Sequence, residues 1–458
     1  MIETGTEPGS ADLPQDQQRR VVRKIALRVL PLVFVGYIFS YFDRTNIGFA
    51  ALTMNDDLGI SAYTYGWIAG IFFLGYIAFG IPSTLALNRF SARFWLSALM
   101  IAFGVISTAT AFVDSVPQLA IMRFLLGAAE AGVFPGILVY ITMWFPPRYR
   151  GRVMTAFIIA VPFSAMIGGP LAGLILRMNE TLGVEGWRWL FFVEGLPAFL
   201  IGLLGLRLIP SRPAEARWLS DHERRWLNEQ LTPPEQPVTA ATGKTRSWTA
   251  ILDGRVIVLA LAQTCSVMAF YGVTLWLPQL LKQISSSTDT IAMLSAIPYA
   301  AAIPAMILLG RSSDRTQKRA VHVGLAYGLI TVGLLLAIVA GSSAWALVGL
   351  SVVAIGNLGG QSSLFSLPGT LFTPAKATAA IAVISSVSNI GGFAGPYAIG
   401  ALKNASGGYT LPFIVLAVLA AAGATAVWVL GRRWEYESRT EPAGRVRPSN
   451  PRGSASTG

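Results

Sequence analysis

Polar and apolar residues are segregated into blocks along this chain. Apolar stretches of about 20 residues, the length a helix needs to cross a hydrocarbon layer of about 30 Å, recur twelve times. In the first half they fall at residues 28–50, 64–87, 94–113, 117–144, 153–176 and 188–209. In the second half they fall at 256–281, 291–310, 321–341, 345–371, 378–402 and 410–430. They are numbered spans 1 to 12. Lipid offers no hydrogen-bond partners to the backbone, so continuous runs of this length predict helices and an all-α membrane protein.

The pattern divides the 458 residues into a polar tail (1–27), a six-helix bundle (28–209), a linker (210–255), a second six-helix bundle (256–430) and a C-terminal tail (431–458) expected to be disordered. The linker carries Pro213, Pro233, Pro234 and Pro237 around the charged run Asp221-His222-Glu223-Arg224-Arg225, which predicts a short surface helix within flexible chain. The first 26 residues are polar and end in Arg19, Arg20, Arg23 and Lys24, so span 1 reads as a retained helix and not as a cleaved leader.

Composition agrees with the pattern: 53% of residues are hydrophobic and 13% charged, and mean hydropathy is +0.56. The net charge of +12 would suit nucleic acid if it were gathered on one stripe, but it is dealt out among short loops. With both termini cytoplasmic, 29 Lys and Arg fall on that side and only Arg177, Arg188, Lys282 and Lys403 on the other. That asymmetry predicts the orientation. Cys265 is the only cysteine, which excludes a disulfide framework or a cysteine-based metal site. No catalytic constellation, metal site or cofactor site is expected.

The two halves repeat each other. Asn88-Arg89 with Arg93 returns as Asp314-Arg315 with Arg319, and Gly169-Pro170-Leu171-Ala172 returns as Gly395-Pro396-Tyr397-Ala398. Asn88 to Asp314 and Pro170 to Pro396 are both 226 residues apart, close to half the chain, which predicts two pseudo-symmetric halves.

On the motif Gly310-x-x-x-Asp314-Arg315-x-x-x-Arg319 the chain resembles the major facilitator superfamily, whose signature lies between the second and third helix of each half. The first-half copy departs from it, with Thr84 where Gly is usual and Asn88 where Asp is usual. The resemblance implies gating roles for Asn88, Arg89, Asp314, Arg315 and Arg319.

Further motifs resemble the anion:cation symporter family within it. They are Asp43-Arg44, Arg123 with Glu130, Trp144-Phe145-Pro146-Pro147, Gly186-Trp187-Arg188-Trp189-Leu190-Phe191-Phe192-Val193-Glu194-Gly195, Tyr271-Gly272-x3-Trp276-Leu277-Pro278, and Asn389-Ile390-Gly391-Gly392-Phe393. Pro213-x-Glu215-Ala216-Arg217-Trp218-Leu219-Ser220 is similar to the branch of tartrate, 4-hydroxyphenylacetate and phthalate permeases. The resemblance implies a monomer in a bacterial inner membrane that is a transporter and not an enzyme. It would import a small mono- or dicarboxylate together with protons; an uncoupled facilitator or an anion exchanger is the alternative.

Charges deep in a membrane cost about 2.5–3.5 kcal/mol each on insertion scales and face a cavity when present. The pattern places four at depth: Asp43, Arg44, Arg123 and Glu130. Arg123 and Glu130, seven residues apart, share a helix face; Asp43 and Arg44 diverge by about 100° and serve different partners. Arginine presents a rigid fork suited to a carboxylate, so Arg44 and Arg123 are the candidate anion ligands. His222 falls in the linker and His322 at the edge of span 9, which leaves Asp43 or Glu130 to carry the proton. The second half has no matching charges. It is expected to contribute Asn389, Tyr271 and Gln361, with Tyr76 from the first half and Gln263 and Asn357 as weaker candidates.

Overall fold

The computed structural model describes residues 13–87, 89–231 and 253–440. Among the described residues, twelve helices are long and apolar enough to cross a membrane. In chain order they are Gln15–Asp57, Ala62–Ala86, Ala92–Thr110, Val116–Trp144, Pro147–Leu176, Gly186–Leu208, Gly254–Leu281, Thr288–Thr316, Arg319–Ala340, Ala346–Leu371, Pro374–Ser406 and Thr410–Glu437. Even crossings bring both ends of the described chain to one face, called here the terminal face; the other is the far face.

Span 1 begins about three turns earlier than the apolar run. Gln18, Val21, Ile25, Val29 and Val33 recur every three or four residues and are buried, so this extension is an amphipathic helix lying against the bundle. Span 4 is broken: one helix ends at Glu130 and the next starts at Val133. Pro135 explains the break, because it has no N–H to bond the carbonyl four residues back and its ring crowds that carbonyl.

The linker helix Asp221–Leu231 buries Trp226 and Leu227. It is tied to span 1 by Lys24 Nζ on Glu223 Oε2 at 2.8 Å. Arg28 lies 5.1 Å over the Trp218 ring, which stacks on Trp144. Burial raises the Glu223 carboxyl, but Lys24 and the Ser220 backbone outweigh it and leave the group below its ordinary range. The C-terminal tail, expected to be disordered from 431, instead continues as helix over Arg432–Thr440; residues 441–458 lie outside the described residues.

The predicted pseudo-symmetry is present. Span 2 packs on 4 and span 8 on 10; span 3 packs on 6 and span 9 on 12. Across the seam, span 2 meets 11 and span 8 meets 5, exchanging roles under the same two-fold relation, while span 1 meets 7.

These seam contacts concentrate toward the far face. A Cβ on Gly66 would lie 2.6 Å from the Pro396 carbonyl and 3.0 Å from Gly400 Cα; one on Gly70 would lie 2.8 Å from the Phe393 carbonyl. Spans 5 and 8 touch similarly at Gly173 and Ala292. Tyr65 donates to the Leu275 carbonyl at 2.5 Å. Arg177 forms a two-pronged pair with Asp289 at 2.8 and 2.9 Å. Toward the terminal face, by contrast, the seam side of span 2 is left open: Ile81, eleven residues on from Gly70, is 71% exposed, and a Cβ on Gly80 would meet nothing within 4 Å. The halves are thus closed at the far face and parted at the terminal face.

Candidate functional site

Arg44 reaches from span 1 into the seam. Its Nη2 donates to Glu130 Oε2 at 2.9 Å, and its Nη1 lies 3.4 Å from the Tyr271 hydroxyl of the other half. Ser40, one turn earlier on span 1, donates to the same Glu130 oxygen at 2.9 Å. The guanidinium lies 5.1 Å from the Phe72 ring and 5.2 Å from that of Tyr76, within the range of cation–π attraction. Gly75 and Gly127 allow spans 2 and 4 to approach until a Cβ on either would strike the opposite backbone, which brings both rings against Arg44. The Glu130 side chain is fully enclosed while that of Arg44 is 14% exposed. Arg44 Nε and Glu130 Oε1 have no partner within the protein.

Arg123 is placed differently from Arg44. It is 1% exposed, and its two terminal nitrogens donate to the backbone carbonyls of Asp43 (3.1 Å) and Arg44 (3.2 Å). Two of its donors are therefore spent on the backbone of span 1, beneath the Arg44 side chain.

The expected divergence of Asp43 from Arg44 is present. Asp43 turns away from the seam and accepts from Ser107 Oγ at 2.5 Å and Asn46 Nδ2 at 3.1 Å. The same Asn46 nitrogen donates to Glu194 Oε2 at 3.0 Å. Glu194 corrects the reading that four charges lie at depth: it is 2% exposed and joins Asp43 through one shared amide. The available signal was a single carboxylate within the otherwise apolar run from Trp189 to Leu206.

The second-half candidates are dispersed. Tyr271 reaches Arg44. Asn389 is half-buried, and its amide nitrogen bonds the Ser385 carbonyl of its own helix at 2.9 Å. Gln361 donates to Asn357 at 3.3 Å, and Asn357 in turn bonds Ser266 at 2.8 Å. Tyr327 donates to Gln263. Of the gating residues, Arg319 donates to the Ser366 carbonyl at 2.6 Å within its own half. Arg89, Asp314 and Arg315 are exposed on the terminal face, and Asn88 lies outside the described residues. His322, expected at the edge of span 9, bonds Ser312 and the Lys318 carbonyl there.

The sequence profile of the Major Facilitator Superfamily matches residues 33–396. A protein of Agrobacterium vitis named "Putative tartrate transporter" is 39% identical over 94% of this chain and 98% of its own length. The "Quinolone resistance transporter" of Acinetobacter baumannii is 36% identical over 92% of this chain and 97% of its own. Among solved structures, a bacterial homolog of the human lysosomal transporter Spinster, inward-facing and unoccupied, matches with a TM-score of 0.69 at 19% identity over 92% of this chain and 97% of that one. That likeness concerns the fold.

Proposed function

The chain belongs to the major facilitator superfamily of transporters, and from that premise we propose that it imports a small organic anion together with protons by alternating access across a bacterial inner membrane. The observation that carries this reading is the Arg44–Glu130 pair at the seam, with Tyr271 of the opposite half at its edge. A relative of almost equal length named for tartrate transport supports the carboxylate class.

Arg44 is the anion ligand in this reading. Its guanidinium is open on one edge, and a charge-assisted hydrogen bond is worth about 1.5–3 kcal/mol. Glu130 occupies the position an incoming carboxylate needs. A proton on Glu130 removes its negative charge, weakens its hold on Arg44 and frees the fork for substrate; loss of the proton restores the internal pair and expels the anion. Ser40 holds Glu130 in place through this exchange. Arg123 fixes the backbone from which Arg44 projects, and so acts as a positioning residue. Tyr271 lets the second half register the occupancy of a site built on the first. Tyr76, whose ring lies against Arg44, is a secondary contact, and Asn389 and Gln361 would join it from the second half as the halves rock. Arg89, Asp314, Arg315 and Arg319, with Asn88, would close the terminal face when the halves rock. With the termini cytoplasmic, as the charge asymmetry argues, the state seen here is inward-open.

The test is uptake of labelled tartrate, phthalate, 4-hydroxyphenylacetate and a sugar acid into proteoliposomes, with and without an inward proton gradient. The intact protein is compared with Glu130→Gln. Accumulation that follows the gradient and disappears in the variant is expected. Gradient-independent equilibration by both proteins would instead mean a facilitator or exchanger with Glu130 as a counter-ion, and extrusion would reverse the assigned direction.

A further inference from the structure

Behind span 1, on the side away from Arg44, three elements bring together Asp43 and Asn46 (span 1), Ser107 (span 3) and Glu194 (span 6). The two carboxylates are 1% and 2% exposed, and Asn46 is 2% exposed. Asn46 uses its single nitrogen to donate to both acids. Beyond those bonds, Asp43 Oδ2, Glu194 Oε1 and Asn46 Oδ1 all lack a partner. The charged groups on the surrounding spans are accounted for: Arg123 of span 4 donates to main-chain carbonyls, while Arg44 and Glu130 pair with each other on the opposite face of span 1. Among the described residues no cation lies within ion-pair distance of Asp43 or Glu194. Two buried carboxylates with no ion-pair partner, and with Arg123 on the Asp43 carbonyl as the nearby cation able to balance at most one of them, cannot both stay ionised at reasonable cost. Asn46 Oδ1 supplies the acceptor that an acid O–H would require.

We propose that Asp43 and Glu194, bridged by Asn46, form a second proton-carrying site that holds one shared proton, separate from Glu130. Ser107 lies one turn, and Glu194 just over two turns, from the far-face ends of their helices, whereas Glu130 lies four turns in. Glu194 therefore stands nearer the far surface than Glu130, on the side from which protons enter during import, while Asp43 lies level with the Arg44–Glu130 pair. Arg123 links it to the anion site, because it grips the carbonyls of both Asp43 and Arg44. The transport cycle then moves two protons per anion, one on Glu130 and one on the pair. The stoichiometry rests on the symport reading above; the shared proton does not.

Infrared spectroscopy of the purified protein at pH 7 tests the proton without substrate. The Glu130→Gln variant is expected to keep a hydrogen-bonded carboxylic-acid C=O band, and Glu130→Gln/Asp43→Asn/Glu194→Gln to lose it. No band in Glu130→Gln, or a band that appears only when choline replaces sodium, would overturn the proposal, the second result in favour of a bound cation. Stoichiometry is read from proton flux and labelled tartrate in the same proteoliposomes. Glu194→Gln is expected to lower the proton-to-tartrate ratio from two to one, with Glu194→Asp restoring it. An unchanged ratio in Glu194→Gln would make the cluster structural. Absence of proton flux in the intact protein would sink the symport reading while the infrared result still judged the shared proton.

Discussion

The far-face closure depends on backbone touching backbone, so a single methyl group should reopen it. At Gly66 an added Cβ meets the Pro396 carbonyl at 2.6 Å and Gly400 Cα at 3.0 Å. Neither neighbour is the end of a flexible side chain, so the helices themselves must part by several tenths of an ångström to reach ordinary contact distances. Overpacking of a fitted interface costs about 1–3 kcal/mol. Because spans 2 and 11 meet this way only when the far face is shut, the cost falls on that state and shifts the balance toward the far-open state by about 5- to 150-fold. The single native cysteine makes the assay direct. In a Cys265→Ser background, spin labels at Phe90→Cys and Lys318→Cys stand on the exposed terminal-face loops after spans 2 and 8, outside the gating residues. Adding Gly66→Ala should create or enlarge a short-distance population as the terminal face closes. An unchanged distance distribution in a folded protein of unchanged thermal stability would refute the view that this glycine seam holds the far face shut.

Other outcomes follow from the same coordinates. Arg44→Lys keeps the charge but loses the planar fork, and KM for a transported carboxylate should rise by about 10-fold or more; an unchanged KM would remove Arg44 from the anion site. Asp289→Asn breaks the pair with Arg177, but both side chains are about half exposed. Its effect on the same spin-label distances should be under about 1 kcal/mol, far smaller than that of Gly66→Ala. The Glu223 carboxyl sits below its ordinary range in the folded protein. Its contribution to docking the linker helix is therefore present at neutral pH and lost as pH falls below about 4. Hydrogen exchange across Asp221–Leu231 should quicken in that window, and Lys24→Ala should reduce the pH dependence to the part that the Ser220 backbone sustains.

The hydropathy blocks located all twelve spans because a lipid-facing helix must be apolar along its whole length, and that requirement is written in every residue. What the blocks could not locate was the docked extension of span 1, where only one face is apolar. The break after Glu130 was signalled by Pro135 but hidden inside an unbroken apolar run. The charges were legible as rarities, and the 100° separation of Asp43 from Arg44 correctly sent them to different partners. Helical geometry alone could not say that Arg123 would turn onto the backbone of span 1. Asn389 likewise bonds its own helix, since an amide at depth takes the nearest carbonyl. Glu194 is masked in the sequence by the aromatic residues around it, although a lone carboxylate in that apolar run needs a partner as much as Glu130 does.

Span 1 is where these facts acquire mechanical meaning. It presents Arg44 to the seam and Asp43 to the opposite side, and Arg123 holds the two intervening carbonyls together. Neither side chain can change partners without loading the same short piece of backbone. Shortening Arg123 should therefore disturb both faces at once, whereas Ser40→Ala should disturb only Glu130 and Ser107→Ala only Asp43. A double-mutant cycle on transport rate between Ser40→Ala and Ser107→Ala measures the link. A coupling energy above about 0.5 kcal/mol is expected for sites sharing an element with two arrangements. If that coupling survives undiminished in Arg123→Gln, it travels by a route other than the grip of Arg123 on span 1.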